Sequence, residues 1–260
     1  MLHSIYALIF LFGLIIGSFL NCLIYRLEKN KSFLKGRSYC PHCNQVLKWF
    51  DLIPILSFLF LRAKCRYCKK KISFQYPLVE IVTGLLFVLI FWHFGFNVGF
   101  ITLSYFLIST VFLIIIFVYD LKYYIIPDKI IYPAIILAII FNLQFLVFNQ
   151  FSIFKFSILS AVLPALFFLA IILLSRGRAM GWGDFKLAIL MGLLLGWPNI
   201  LVAFFLAFLM GSLVGMGLII SKRKTIKSMI PFGPFLVIAT FIALFFGEQI
   251  ITWYLLFFSL

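Results

Sequence analysis

The sequence predicts an all-α polytopic membrane protein of about eight transmembrane helices, with a small cysteine-stapled domain between the first and the second. Three observations predict it. The 260 residues are 65% hydrophobic and only 11% charged, against about 45–50% apolar and about 25% charged in soluble domains. Cutting the chain at every Asp, Glu, Lys and Arg leaves uncharged stretches 1–25, 81–119, 130–154, 156–175, 187–221 and 228–247, and a spanning helix needs about 20 such residues. The basic residues then fall on one face of the resulting topology.

The first stretch reads as a span at 2–25. No Lys or Arg precedes its apolar core and the positive charges follow it, so it is expected to stay as an anchor rather than be cleaved as a signal peptide. Stretch 81–119 holds two spans, 77–93 and 100–119, broken at His93-Phe94-Gly95-Phe96-Asn97, where Gly and Asn supply turn chemistry. Spans at 129–148 and 154–175 follow. Stretch 187–221 divides at Gly196-Trp197-Pro198-Asn199 into 185–196 and 200–220. The sixth span is short and is expected to begin inside Gly181–Asp184 or to tilt little. A last span at 232–257 closes the chain.

Eight spans put segments 26–76, 120–129, 176–186 and 221–231 on one side. These carry 21 of the 22 Lys and Arg and leave Lys155 opposite. Basic residues are retained in the cytoplasm, so that side is cytoplasmic and both termini face outward. The net charge of +15 is met by this topology and by anionic membrane lipid. No nucleic-acid partner is expected.

Segment 26–76 is too short for a self-sufficient core and needs a staple. Cys40-Pro41-His42-Cys43 and Cys65-Arg66-Tyr67-Cys68 supply one, since two CxxC pairs at this spacing can each clamp one side of a tetrahedral zinc ion. A cytoplasmic loop is reducing, which disfavours disulfides. Four thiolates close the coordination sphere, so the zinc would be structural. His42 is left out of the set, and Cys22, inside the first span, reads as packing.

The chain has seven acids: Glu28, Asp51, Glu80, Asp120, Asp128, Asp184 and Glu248. Ionisable groups at span ends default to functional candidates. Asp120 ends the third span and Asp184 begins the sixth, so both sit at the cytoplasmic boundary. Paired carboxylates share a proton, and one can activate water while the other polarises a peptide carbonyl. Asp184 stands in Gly181-Trp182-Gly183-Asp184, whose glycines allow close backbone approach. Asp128, just after Pro127, reads as a helix cap. No HExxH occurs, and no histidine follows residue 93, which removes the metalloprotease and Ser–His readings. A membrane aspartyl protease remains.

These residues carry a resemblance. Gly17-Ser18-Phe19-Leu20-Asn21, the two cysteine pairs, Asp51-Leu52-Ile53-Pro54-Ile55-Leu56-Ser57, Tyr76-Pro77-Leu78-Val79-Glu80, Ile126-Pro127-Asp128, Gly181–Lys186 and Pro231-Phe232-Gly233-Pro234 resemble, in order and over nearly the whole chain, bacterial type IV prepilin peptidases. The resemblance implies an inner-membrane enzyme that removes the basic leader of type IV prepilins and pseudopilins after a glycine, on the cytoplasmic side. It makes Asp120 and Asp184 catalytic. It also implies S-adenosylmethionine-dependent N-methylation of the new terminus by the 26–76 loop, with no residues assigned. The expected organisation is a first helix at 1–25, a cytoplasmic zinc-binding domain at 26–76 and a seven-helix peptidase domain at 77–260. Two alternatives stay open. One is a presenilin-like or signal-peptide-peptidase-like protease, into which the cysteine loop does not fit. The other is a non-enzymatic transporter or adaptor whose aspartates relay protons.

Overall fold

The computed structural model describes residues 2–29, 32, 36–95, 98–147, 151–177, 180–222, 225 and 229–258. Each predicted span has its helix. These are α1 (Leu2–Glu28), α3 (Gln75–Phe94), α4 (Gly99–Tyr123), α5 (Asp128–Val147), α6 (Phe151–Leu174), α7 (Trp182–Leu195), α8 (Asn199–Ile220) and α9 (Gly233–Phe258). A short α2 (Leu56–Phe60) and a 3₁₀ turn (Trp49–Leu52) lie in the cysteine loop. Among the described residues the only β pairing is two isolated bridges in that loop. Among the described residues, six helices are long and apolar enough to cross a membrane: α1, α3, α4, α6, α8 and α9. The chain is a multi-pass membrane protein. Of the turn expected at 93–97, Gly95 closes α3 with φ +59°. Phe96 and Asn97, and the side chain of Lys155, lie outside the described residues.

The chain forms two compact units, Met1–Ile115 and Ile116–Leu260. In the first, α1 packs on α3 through small residues, as membrane helices do when their backbones approach closely. A Cβ on Gly13 would stand 2.7 Å from the Gly84 Cα, and one on Gly17 2.7 Å from the Glu80 Cα. One turn further along, the Asn21 side chain donates to the Tyr76 carbonyl at 3.0 Å.

In the second unit α7 packs against α5, α6, α8 and α9. At 14 residues it is about 21 Å long, short of the roughly 30 Å hydrocarbon thickness. It begins at Trp182, inside the segment expected from the sequence. Its other end leaves orphan carbonyls, and neighbouring helices supply donors. Asn142 of α5 donates to Leu193 O at 3.1 Å, and Ser160 of α6 adds a second donor, at 2.8 Å, to Gly192 O, which already accepts the Gly196 N–H. A Cβ on Gly192 would collide with the Ser160 carbonyl. Close approach and side-chain donors together seat a short helix among longer ones.

Candidate functional sites: an aspartate pair and a four-cysteine cluster

Asp120 occupies the last turn of α4, because that helix runs to Tyr123 rather than ending at the aspartate. A carboxylate there opposes the helix dipole. The compensation comes from another helix: Gly233, the first residue of α9, donates its backbone N–H to Asp120 Oδ2 at 3.1 Å. The side chain is held where a helix N-terminus favours negative charge, and Asp120 is only 4% exposed. A Cβ on Gly233 would lie 2.6 Å from the same oxygen, so only glycine permits the contact. In the sequence, Pro231-Phe232-Gly233-Pro234 carries only the family resemblance. The role of these residues in seating Asp120 has no local signal, and sequence reasoning misses it.

Asp184 is the third residue of α7. Its Oδ2 accepts the Gly181 N–H at 3.3 Å, and its own N–H donates to Gly181 O at 3.2 Å. This is the carboxylate half of a capping box, with a glycine carbonyl where a serine hydroxyl would serve. Asp184 is half-buried and lies within electrostatic reach of Asp120. Ile126 packs beside them: a Cβ on Gly183 would stand 2.9 Å from the Ile126 Cβ, and one on Gly233 3.4 Å from its Cδ1. The two glycines of GWGD therefore differ, since a Cβ on Gly181 meets only Asp184 Oδ2 at an ordinary 3.6 Å.

Asp128 corrects the expectation of a cap. The first turn of α5 is closed by the Pro127 carbonyl, which accepts from Ile130 and Ile131. The Asp128 carboxylate instead pairs with Lys186 of α7, whose ammonium also lies 4.7 Å from the Tyr132 ring centroid.

In the first unit, the thiols of Cys40, Cys43, Cys65 and Cys68 lie within 4.8 Å of one another. The four cysteines can hold a metal ion. Four sulfurs at about 2.3 Å from a tetrahedral zinc would be about 3.8 Å apart, and Cys40 Sγ to Cys68 Sγ measures 3.9 Å. His42 is exposed and stands outside the set, as does Cys22, which accepts from the Ser38 hydroxyl at 3.8 Å.

The two cysteine turns repeat one backbone pattern 25 residues apart, which the spacing alone does not disclose. Cys40 N–H donates to Gln45 O, and Asn44 N–H to Cys40 O; Cys65 N–H donates to Lys70 O, and Lys69 N–H to Cys65 O. Asn44 and Lys69 both take positive φ, 56° and 57°. Burial disfavours the Cys65 thiolate, but the Cys68 and Tyr67 backbone N–H groups outweigh it and bring the thiol down to about 7. The Gln45 N–H favours the Cys43 thiolate, yet lost solvation and the Cys40 and Cys68 thiols push Cys43 up to about 11.

Asp51 is the loop's second organiser. It accepts from Arg66 Nε at 2.8 Å, from Lys48 N–H at 3.2 Å and from the Tyr67 hydroxyl at 3.4 Å.

Residues 11–94 match the bacterial peptidase A24 N-terminal domain, and residues 107–216 match the type IV leader peptidase family. A relative named prepilin leader peptidase/N-methyltransferase, from Aeromonas hydrophila, is 36% identical across 96% of this chain and 93% of its own length. The chain belongs to this leader peptidase family. Relatives of the same name from Legionella pneumophila and Bacillus subtilis strain 168 are each 33% identical over 96% of the chain and cover 94% and 97% of their own lengths. No solved structure matches. Family membership makes the chain a peptidase and sets aside the presenilin-like and non-enzymatic alternatives.

Proposed function

We propose that this peptidase removes the basic leader of type IV prepilins and pseudopilins after a glycine, at the cytoplasmic face of the inner membrane, using Asp120 and Asp184. The observation that supports it best is the pairing of these two carboxylates, from a chain with seven acids, each held by a backbone N–H at a helix N-terminus. One carboxylate takes a proton from water as the water attacks the scissile carbonyl. The other, protonated, gives its proton to the developing oxyanion; as the C–N bond breaks, the first passes the proton it took from water to the departing amine and the second recovers its proton from the diol. A prepilin's apolar segment would lie among the helices, with its charged leader outside the membrane, so the bond to be cut sits at the depth of these helix ends.

In this reading residues 1–25 form an anchoring helix, 26–76 a cytoplasmic zinc-binding domain and 77–260 the seven-helix peptidase domain. Cys40, Cys43, Cys65 and Cys68 hold one zinc, which closes the loop and takes no part in hydrolysis. The loop is also the methyl-transfer region, for which S-adenosylmethionine, when bound, supplies an electrophilic methyl group. Incubating purified protein with a prepilin and S-adenosylmethionine, then weighing the products, tests both activities. Leader loss without added methyl mass would leave the peptidase alone. Leader loss from an Asp120→Asn or Asp184→Asn variant would remove that residue from the chemistry.

A further inference from the structure

Between Asp51 and Arg62 the cysteine loop carries ten uncharged residues, 52–61, of which only Ser57 has a polar side chain. In a membrane protein an apolar run of about 10–14 residues is either buried core or a segment that enters the membrane without crossing it. Exposure rules out the core. Leu56, Leu59 and Phe60 share one face of α2 by their i, i+3, i+4 spacing, and Leu59 is 63% and Phe60 83% exposed. Leu52 is also exposed.

Two contacts set the depth of this run. The Ser18 hydroxyl donates to Leu52 O at 3.5 Å, and Ser18 stands eight residues before Arg26, the first charged side chain of the chain, or about 12 Å along α1. The Ile55 N–H donates to Glu80 Oε2 at 2.8 Å, and Glu80 is the sixth residue of α3, about 8 Å from its start. Headgroups occupy only about 5–8 Å on each side of a bilayer, so both contacts hold the run at or below them. Ile55 keeps φ +59° there, an outlier for a β-branched residue that persists where its surroundings over-determine it.

Backbone at that depth must find its hydrogen bonds within the protein. Pro54 has no N–H to satisfy, Ser57 N–H donates to Ile53 O at 3.1 Å, and Leu61 N–H donates to Ser57 O at 3.0 Å. The charges fit as well. Lys48 precedes the run and Arg62, Lys64, Lys69, Lys70 and Lys71 follow it, all exposed, while the adjoining acid, Asp51, is tied to Arg66 at 2.8 Å. Trp49, 77% exposed, is of the residue type that gathers at headgroup level.

We propose that residues 52–61 lie in the lipid leaflet on the loop's side of the membrane, with Leu56, Leu59 and Phe60 among the acyl chains and the flanking bases on anionic headgroups. An apolar face bordered by Lys and Arg is the pattern of segments that lie in the interface, sunk about 5–10 Å. A soluble partner would have to reach past the headgroups to meet the same face. The loop is thus held at the membrane by a third attachment besides α1 and α3.

The test is photo-crosslinking of the full-length protein in nanodiscs of phosphatidylethanolamine and phosphatidylglycerol, with p-benzoylphenylalanine in place of Phe60 or, as control, of Lys70. On irradiation the Phe60 variant should gain the mass of one phospholipid and the Lys70 variant should not. Mild alkali, which cleaves the lipid esters, should leave a fatty-acyl mass on the protein. A glycerophosphate mass left instead would place the ring among headgroups and overturn the depth. Equal lipid labelling at both positions, no lipid adduct at Phe60, or a cross-linked second copy in its place would overturn the proposal. Retained prepilin cleavage shows that a labelled variant is folded, and should the Phe60 variant lack it, the same replacement at Leu59 decides.

Discussion

The cysteine loop and the aspartate site hold their functional groups by opposite means. Between residues 36 and 74 the only described residues buried as a whole are Cys40 and Cys65, so the loop's core is its cysteine cluster. The aspartate site is backed by α7, where Leu187, Ala188, Leu190 and Met191 are essentially inaccessible, and by glycines that bring backbones together. The difference teaches that a group can be placed by a cross-link where chain is scarce, or by packing where helices are plentiful. The two should fail under different insults.

The largest expected effect belongs to the aspartates. Asp120→Asn and Asp184→Asn should each lower prepilin cleavage by about 10²-fold or more while the protein stays folded in the membrane. In the Asp184→Asn variant the amide oxygen would still accept the Gly181 N–H, so the loss would report chemistry rather than a lost cap. Cleavage near the wild-type rate in either variant, measured with purified prepilin, would break the pairing.

Metal removal should separate the two regions. Structural zinc contributes about 10–16 kcal/mol in small domains, so chelation should expose 36–74 to proteolysis and abolish methylation while leader cleavage persists. Acid should act in the same direction. Cys65, depressed to about 7, contributes stability that is full above its ordinary range and lost as pH falls through about 7. Protons also compete with metal for all four thiols, so metal content followed by titration should fall below neutrality. Equal loss of cleavage and methylation on chelation would contradict a purely structural metal.

The glycines sharpen the packing side of the comparison. Gly233→Ala forces a shift of Asp120 or of α9, and a displacement near 1 Å can cost about 10²-fold. Gly183→Ala presses on Ile126 and should cost less, and Gly181→Ala, with φ −86° and an ordinary contact, least. Cleavage rates in the reverse order would show that close approach does not set the site.

The smallest effect is expected at Asp128. Its carboxylate is 62% exposed, and such ion pairs contribute about 0–1 kcal/mol, so Asp128→Asn should change the cleavage rate by about fivefold at most. A variant as inactive as Asp120→Asn would make the site a three-carboxylate one.

Much of this was legible in the chain. Apolar run length set the helices, because a hydrocarbon layer admits few other structures. CxxC spacing picked out the four cysteines that the fold gathers, because two short turns bring four thiols within reach of one another, and the scarcity of acids singled out Asp120 and Asp184 as candidates. Tertiary structure decided what no local pattern encodes. It gave Asp120 the Gly233 N–H from 113 residues away, turned Asp128 from a cap to Lys186, and made Gly183 rather than Gly181 the tight glycine. It let Ser160 and Asn142 finish the short α7, and it hung Arg66 on Asp51. Spacing and hydrophobicity are properties of one segment. Which backbone N–H or carbonyl faces a given side chain depends on how distant segments pack, and the desolvation of that pair is settled only there.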